Sequence, residues 1–239
     1  MPVYVLDELS SAEFGRIVTR NPLVLVPIGA VEEHGAHLPL CTDSIQPADI
    51  VEKVAARLPG AVLIAPLLPY ANCSATRNFP GTISLSFDAL RAVMTDILSE
   101  LCRNGIRRIV VVTGHAGGAH MTALRIAGEA VVQRTGDLKL MILSDYDIAY
   151  ELKGKEFDER DGHAGTIETS RVMAIKPRLV KKRGVRNFNR APRYMVVPDP
   201  ERYFPCGVMG DPTKASPAQG RRINEYIVKG LVELIEKNM

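Results

Sequence analysis

All five histidines of this chain fall in three short segments that also carry acidic residues and glycines. The first is Glu32-Glu33-His34-Gly35-Ala36-His37, with Asp43 shortly beyond it. The second is Gly114-His115-Ala116-Gly117-Gly118-Ala119-His120. The third is Asp161-Gly162-His163, followed by Glu168. Imidazole nitrogens and carboxylate oxygens gathered in one place suit a divalent first-row ion such as Zn²⁺, Mn²⁺ or Fe²⁺. This set holds more carboxylate than a structural zinc site usually has. If Pro27 to His37 runs extended, residues two apart project together, so Glu32 and His34 face one point while Glu33 turns away. Asp43, just before a helix that Ser44 would cap, returns a second carboxylate. With His115 and Glu168 there are donors enough for two ions, one carboxylate bridging them. The plain alternative is a set of capping and core polar residues.

Positioning such a set requires strands that end at one edge. Leu23 to Gly29, Ala61 to Ala65, Ile106 to Thr113 and Leu138 to Leu143 read as strands, mostly unbroken apolar runs of the kind covered on both faces. Helical periodicity lies between them. Ile50, Val51, Val54, Ala55 and Leu58 share a face, as do Leu90, Val93, Met94, Ile97, Leu98 and Leu101, the latter helix stopping at Gly105. His120 to Arg134 is a third helix. The last has Ser216 as N-cap, Pro217 as first residue and Gln219 as capping-box partner, with Ile223, Tyr226, Ile227, Leu231 and Ile235 as its buried stripe. This alternation implies an α/β fold, a three-layer α/β/α sandwich around a mostly parallel sheet. Loops after the carboxyl ends of parallel strands line the ligand crevice, so His34 and His115 point to one place.

At 239 residues, 46% of them hydrophobic, the chain can bury roughly 70% of its unfolded surface, and disordered or fibrous classes are excluded. We read residues 1–239 as one domain. Its exception is 181–202, where seven Lys and Arg, two acids and three prolines break both periodicities and suggest a ribbon or lid. Net charge is +3, too mild to imply nucleic acid. The four cysteines lie far apart without a CxxC pair, and Cys41, near Asp43, is assigned to packing. The opening MPVYVLDELSSAEFGR carries acids where a secretory signal carries an apolar run, and no apolar stretch approaches the roughly 20 residues of a membrane span. A cytoplasmic protein without membrane partners is expected.

The run Pro27 to Leu40 with Thr42-Asp43 resembles the signature of the creatininase family of metal-dependent amidohydrolases. Arg77-Asn78-Phe79-Pro80-Gly81-Thr82, Thr113 to Gly118, His163-Ala164-Gly165 with Glu168-Thr169-Ser170, and Gly207 to Pro212 agree in order and spacing. The resemblance covers about Leu23 to Gly220. It implies a binuclear site with Glu32, Asp43 and His115 on one ion, and His34, Asp43 and a further carboxylate on the other. The family's namesake places that carboxylate two residues after the histidine matching His115, where this chain has Gly117. Glu168 is the replacement. The namesake clamps creatinine with tryptophans, of which this chain has none. Other members imply other substrates: a formamide deformylase acts on a ribosylaminopyrimidine phosphate, and a peptidase serves the mycofactocin pathway. The basic 181–202 segment suits a phosphate, which arginine grips by paired hydrogen bonds. The resemblance also implies a homo-oligomer, such as a hexamer.

The function read from these observations is hydrolysis of a non-peptide amide, cyclic amide or formamide by metal-activated water. His163 is the proton donor to the leaving amine, acting with Glu168. His37, Arg77, Asn78, Gly117 and Gly118 are assigned to substrate, His37 standing second in line as donor or as a group orienting a ligand. Two rivals remain. One is a catalytically silent metal- or ligand-binding member of the same fold, motivated by Gly117. The other is nucleic-acid binding through 181–202, which lacks an aromatic stacking platform; no nucleic-acid partner is expected.

Overall fold

The computed structural model describes residues 3–181 and 184–239. In chain order the elements are β1 (Val3–Val5), α1 (Ser11–Val18), β2 (Leu23–Ile28), α2 (Thr42–Ala55), β3 (Val62–Ile64), α3 (Phe87–Arg103), β4 (Arg108–Thr113), α4 (Gly118–Arg134), β5 (Lys139–Ser144), α5 (Asp145–Ala149), α6 (Thr166–Ile175) and α7 (Pro217–Asn238). The five strands form one parallel sheet in the order β1-β3-β2-β4-β5. The chain leaves β2 for β3 on one side and later returns to β4 on the other. The topological switch point therefore lies between β2 and β4, where Ile28 pairs with Thr113.

Strand geometry sends successive side chains to opposite faces. Leu23 and Leu25 of β2, with Val110 and Val112 of β4, join a core with α2, α6 and α7. Val24, Val26, Ile28, Ile109 and Val111 face α1, α3 and α4 instead. The result is the three-layer α/β/α arrangement expected. The four strands read from the apolar runs are β2 to β5, each within two residues of its expected start and end. The three-residue edge strand β1 and the short helices α5 and α6 escaped the periodicity. So did α1, although Ser10 and Glu13 cap it reciprocally.

Local chemistry corrects several expectations. Ser44 does not cap α2; it lies inside the first turn, and Cys41 occupies the N-cap position, exposed rather than packed. Ser216 caps α7 by accepting from Gln219 N, but its own backbone N–H donates to Ser170 Oγ at 3.1 Å, so the reciprocal half of the capping box is absent. Tyr226 faces outward, its hydroxyl donating to Glu151, while Asn224 and Val228 are buried in the stripe. Among the described residues 181–202 forms no ribbon. It holds an isolated bridge, Asn187 to Gly210, and a short 3₁₀ turn beginning at Pro200; Lys182 and Arg183 lie outside the described residues. No described helix is long and apolar enough to cross a membrane.

One buried ion pair ties the site-bearing helix to the sheet. Arg171 of α6 is fully buried, its guanidinium donating to both oxygens of buried Asp145 and to Asn224 Oδ1 of α7 at 2.9 Å. Removing one partner leaves a buried charge uncompensated. Asp145→Ala is expected to lower stability by about 3–5 kcal/mol, read as a shift in the urea midpoint. A variant as stable as the parent contradicts this account.

Candidate metal centre

The first turn of α2 rests on the ends of the two central strands. A Cβ at Gly29 would lie 2.2 Å from Ser44 Oγ, and one at Gly114 would lie 2.2 Å from the Asp43 carbonyl oxygen. Only glycine at both positions lets the helix settle there, and that placement carries the Asp43 carboxylate into the switch-point crevice. Glu32 and His34 arrive from the loop after β2, and His115 from the loop after β4. Glu168 comes from the first turn of α6, whose starting amides, Thr166 N and Ile167 N, donate to buried Asp161 at 2.7 and 2.9 Å. All five of these side chains are at least nine-tenths buried.

The five expected donors converge. Asp43 turns one oxygen toward each histidine: Oδ1 is 3.1 Å from His34 Nε2, and Oδ2 is 3.1 Å from His115 Nδ1. His34 Nε2 is 3.6 Å from Glu168 Oε2, and His115 Nδ1 is 2.7 Å from Glu32 Oε2. Metal bonds of about 2.0–2.2 Å place neighbouring donor atoms roughly 2.8–3.6 Å apart; three of these separations lie in that range and the His115–Glu32 one just below it. Backbone carbonyls set both tautomers. The Glu32 carbonyl accepts from His34 Nδ1–H at 3.1 Å, and the Asn72 carbonyl accepts from His115 Nε2–H at 3.0 Å. Each ring thereby offers its other nitrogen's lone pair to the crevice.

Two observations test whether these residues fit a cation. Glu32 Oε2 and His34 Nε2 are buried with no properly directed hydrogen-bond partner, although other donor atoms crowd them. Buried polar atoms are rarely left so. The described ion pairs of the carboxylates Glu32, Asp43 and Glu168 are with histidines and involve no Lys or Arg. Three groups of donors stand close enough to hold an ion: Glu32, His34 and His163; Glu32, Cys73 and His115; and His34, Asp43 and Glu168. The residues fit.

The electrostatics follow. Burial alone would lower the His34 pKa, but Asp43, Glu168 and Glu32 outweigh it and hold it at about 10. His115 is raised in the same way by Glu32 and Asp43. Asp43 is held well below the usual carboxylate range by His34 and His115 against the opposing effect of burial, whereas burial raises Glu168.

Glu33 stands outside the donor groups and the cavity wall, turned to the loop that carries His163. Its Oε1 is 3.0 Å from His163 Nε2, and its Oε2 accepts from Gly35 N. The His163 ring lies against that of His34, with centroids 4.3 Å apart. Thr76, whose hydroxyl donates to Glu32 Oε1, and Cys73, beside Glu32 and His115, gave no signal in spacing. The expected substrate contacts are mostly placed elsewhere. His37 is buried, its Nε2 3.0 Å from Thr169 Oγ1, and is absent from the cavity wall; burial, with His34 next, pulls its pKa to about 4. Arg77 and Asn78 are exposed, and Asn78 donates to Glu201 at 2.7 Å. Gly118 opens α4 outside the wall, while Gly117 does line it. A Cβ at Gly117 would lie 2.4 Å from His115 Nε2, so the imidazole occupies the space a carboxylate there would need. The fifth histidine, His120, is buried behind His115, its Nε2 2.9 Å from Thr113 Oγ1.

The family model described as "Creatininase: Creatinine amidohydrolase" matches residues 7–235. The chain is 32% identical over 248 residues to a mycofactocin precursor peptide peptidase of Mycobacterium ulcerans (strain Agy99), covering 98% of this chain and 93% of that protein. It is 31% identical over 254 residues to a creatinine amidohydrolase of Pseudomonas putida, covering 97% and 96%. The solved structure titled "Creatininase Mn" superposes with a TM-score of 0.87 at 28% identity, covering 99% of this chain and 98% of that one.

A cation at this centre must displace the proton that His34 otherwise carries. A raised histidine pKa stabilises the metal-free fold fully below about pH 6.5, and that contribution is lost as pH rises through about 10. The melting temperature of metal-free protein is therefore expected to fall across that window. Calorimetric titration with Mn²⁺ or Zn²⁺ at pH 8, in buffers of different ionisation enthalpy, should show net proton release. Metal uptake without proton release contradicts the arrangement.

Proposed function

The chain belongs to the creatininase family and is a metal-dependent hydrolase of carbon–nitrogen bonds; from that premise we propose how its residues divide the work and what it cuts. Glu32, Asp43 and His115 hold one divalent ion and His34, Asp43 and Glu168 the other, with Asp43 between them. The observation that carries this reading is the splitting of the Asp43 oxygens, one toward each histidine. Zn²⁺, Fe²⁺ and Mn²⁺ are the candidate ions. Bound there, they supply water acidified toward neutrality and polarisation of a carbonyl oxygen.

The protein's own groups do the rest. The carboxylate and carbonyl of Glu33 both accept from His163 Nε2–H, which fixes the ring against the cavity wall and favours its charged form. Burial and the neighbouring His34 oppose that charge, yet the Glu33 bond and the fields of Glu32 and Glu168 leave the His163 pKa raised. With Nε2 engaged, Nδ1 carries the proton that the leaving amine takes up. Thr76 and the Ala164 amide hold Glu32 and Glu168 in place.

The cavity at this centre measures about 240 Å³, suited to a small molecule or to one end of a larger one. The absence of tryptophan disfavours a flat creatinine clamp. The preferred substrate is a non-peptide amide or formamide, with a formylated ribosylaminopyrimidine phosphate as first candidate; Arg190, from the basic segment, lines the cavity and supports it. Cleavage at a peptide end is the second reading, favoured by the 32% identity to a peptide peptidase. A homo-oligomer is part of the proposal. Tyr194, Met195 and Val196, 88%, 63% and 100% exposed, offer an apolar tip for another subunit.

Protein purified anaerobically is expected to hold two equivalents of metal and to release an amine from one class in a panel of formamides, cyclic amides and peptides. Asp43→Ala and Glu168→Ala should lose metal and abolish turnover. His163→Gln should keep its metal while kcat falls by about 10²–10⁴. Metal-loaded protein that turns over nothing in the panel, or a fully active His163→Gln, overturns the proposal.

A further inference from the structure

The cavity that opens on the centre is lined by two cations as well as by carboxylates: Lys153 and Arg190. Lys153 follows the 3₁₀ turn Tyr150–Leu152, half-buried, its ammonium 3.6 Å from the centroid of the Tyr150 ring. Arg190 arrives from the irregular segment after residue 184. Its Nη2 donates to the carbonyl of Arg160 at 2.5 Å and lies 3.4 Å from that of Asp161. The guanidinium thus lies along Gly162, where a Cβ would meet Nη2 at 2.9 Å, next in sequence to His163.

Neither cation has an anion to itself. Among the described residues their polar contacts are with an aromatic face and backbone carbonyls, not with carboxylates. Asp161, an acid of the same cavity wall, directs its oxygens at the amides of Thr166 and Ile167. The other acids of the wall are Glu32, Asp43 and Glu168. With Asp161 they bring four negative charges, which the two divalent ions of the reading above would balance. Two further cations then face a substrate space with a positive surplus, and a neutral substrate would leave that surplus unmatched. Burial, and Arg190 after it, pulls the Lys153 ammonium below its usual pKa, as expected of cations sharing one enclosed space.

We infer that Lys153 and Arg190 form a specificity subsite for an oxyanion carried by the substrate, either a carboxylate or a phosphate monoester, held next to the metal centre. This rests on the two-ion reading and goes beyond it by stating what the rest of the substrate must bear. Arg190, its guanidinium held by the carbonyl contacts of Nη2, offers its remaining N–H groups and its charge, and Lys153 adds a compact charge braced on Tyr150.

The test has a binding arm that does not need turnover. Phenyl phosphate and, separately, benzoate are titrated calorimetrically into the metal-loaded protein and into Lys153→Met and Arg190→Gln. At least one probe is expected to bind the parent, and to bind each variant at least tenfold more weakly, with Lys153→Arg restoring affinity. Preference for phenyl phosphate identifies a phosphate monoester, and preference for benzoate a carboxylate. Failure of the parent to bind either probe, or equal affinity in parent and variants, overturns the subsite whether or not the protein proves to be an active hydrolase. In the kinetic arm, the kcat/KM ratio between formamides with and without the anionic group should fall at least tenfold in each variant. An unchanged ratio also overturns it.

Discussion

The close approach of the first turn of α2 to the ends of β2 and β4 is the constraint on which the centre depends. Gly29 and Gly114 sit where any side chain would strike Ser44 or the Asp43 backbone. Their missing Cβ atoms let the helix descend until Asp43 stands between the loops that carry His34 and His115. The parallel sheet contributes the other half. Because β2 and β4 pair in register to Ile28 and Thr113, both loops leave at the same height on either side of the switch point.

What gathers there is electrostatically incomplete. Three carboxylates and two histidines are withdrawn from water together, and Glu32 Oε2 and His34 Nε2 are left without directed partners. Hydrogen bonds from outside the cluster hold these groups in place. Carbonyls of Glu32 and Asn72 orient the imidazoles, and Asp161 holds the start of α6 under Glu168. The Arg171–Asp145 pair locks α6 and α7 to the end of the sheet. A rigid frame around an unsatisfied centre is the physical signature of a site completed by cations.

The substrate side of the cavity has its own character. Position 117 is closed to a carboxylate because the His115 ring fills the space beside it. No tryptophan is present to clamp a flat ring, and Tyr150, Lys153 and Arg190 take up wall area. Within one cavity, the donor cluster and these substrate-facing groups are contributed by different residues. That separation is how one hydrolytic centre serves different carbon–nitrogen bonds.

By itself the sequence determined the parts whose information is local. Apolar runs located β2 to β5, helical periodicity located α2, α3, α4 and α7, and Glu32, His34 and His115 stood out by type and by their place after strands, Asp43 by its place at a helix start and Glu168 by the family motif that its stretch resembles. Tertiary structure decided whatever depended on distance in the chain. Glu33, turned from the donors as alternation expects, meets His163 across 130 residues because its loop bends back at Gly35, a contact that alternation alone does not name. His37 shares a motif with the donors but is drawn to Thr169 and buried. Thr76 and Lys153 belong to no recognisable spacing and reach the cavity, as Cys73 reaches Glu32 and His115, only because loops far apart in sequence close around one crevice. Periodicity reports which face of an element is buried; which side chains from separate elements meet is set by how those elements pack, and no short stretch of sequence contains that.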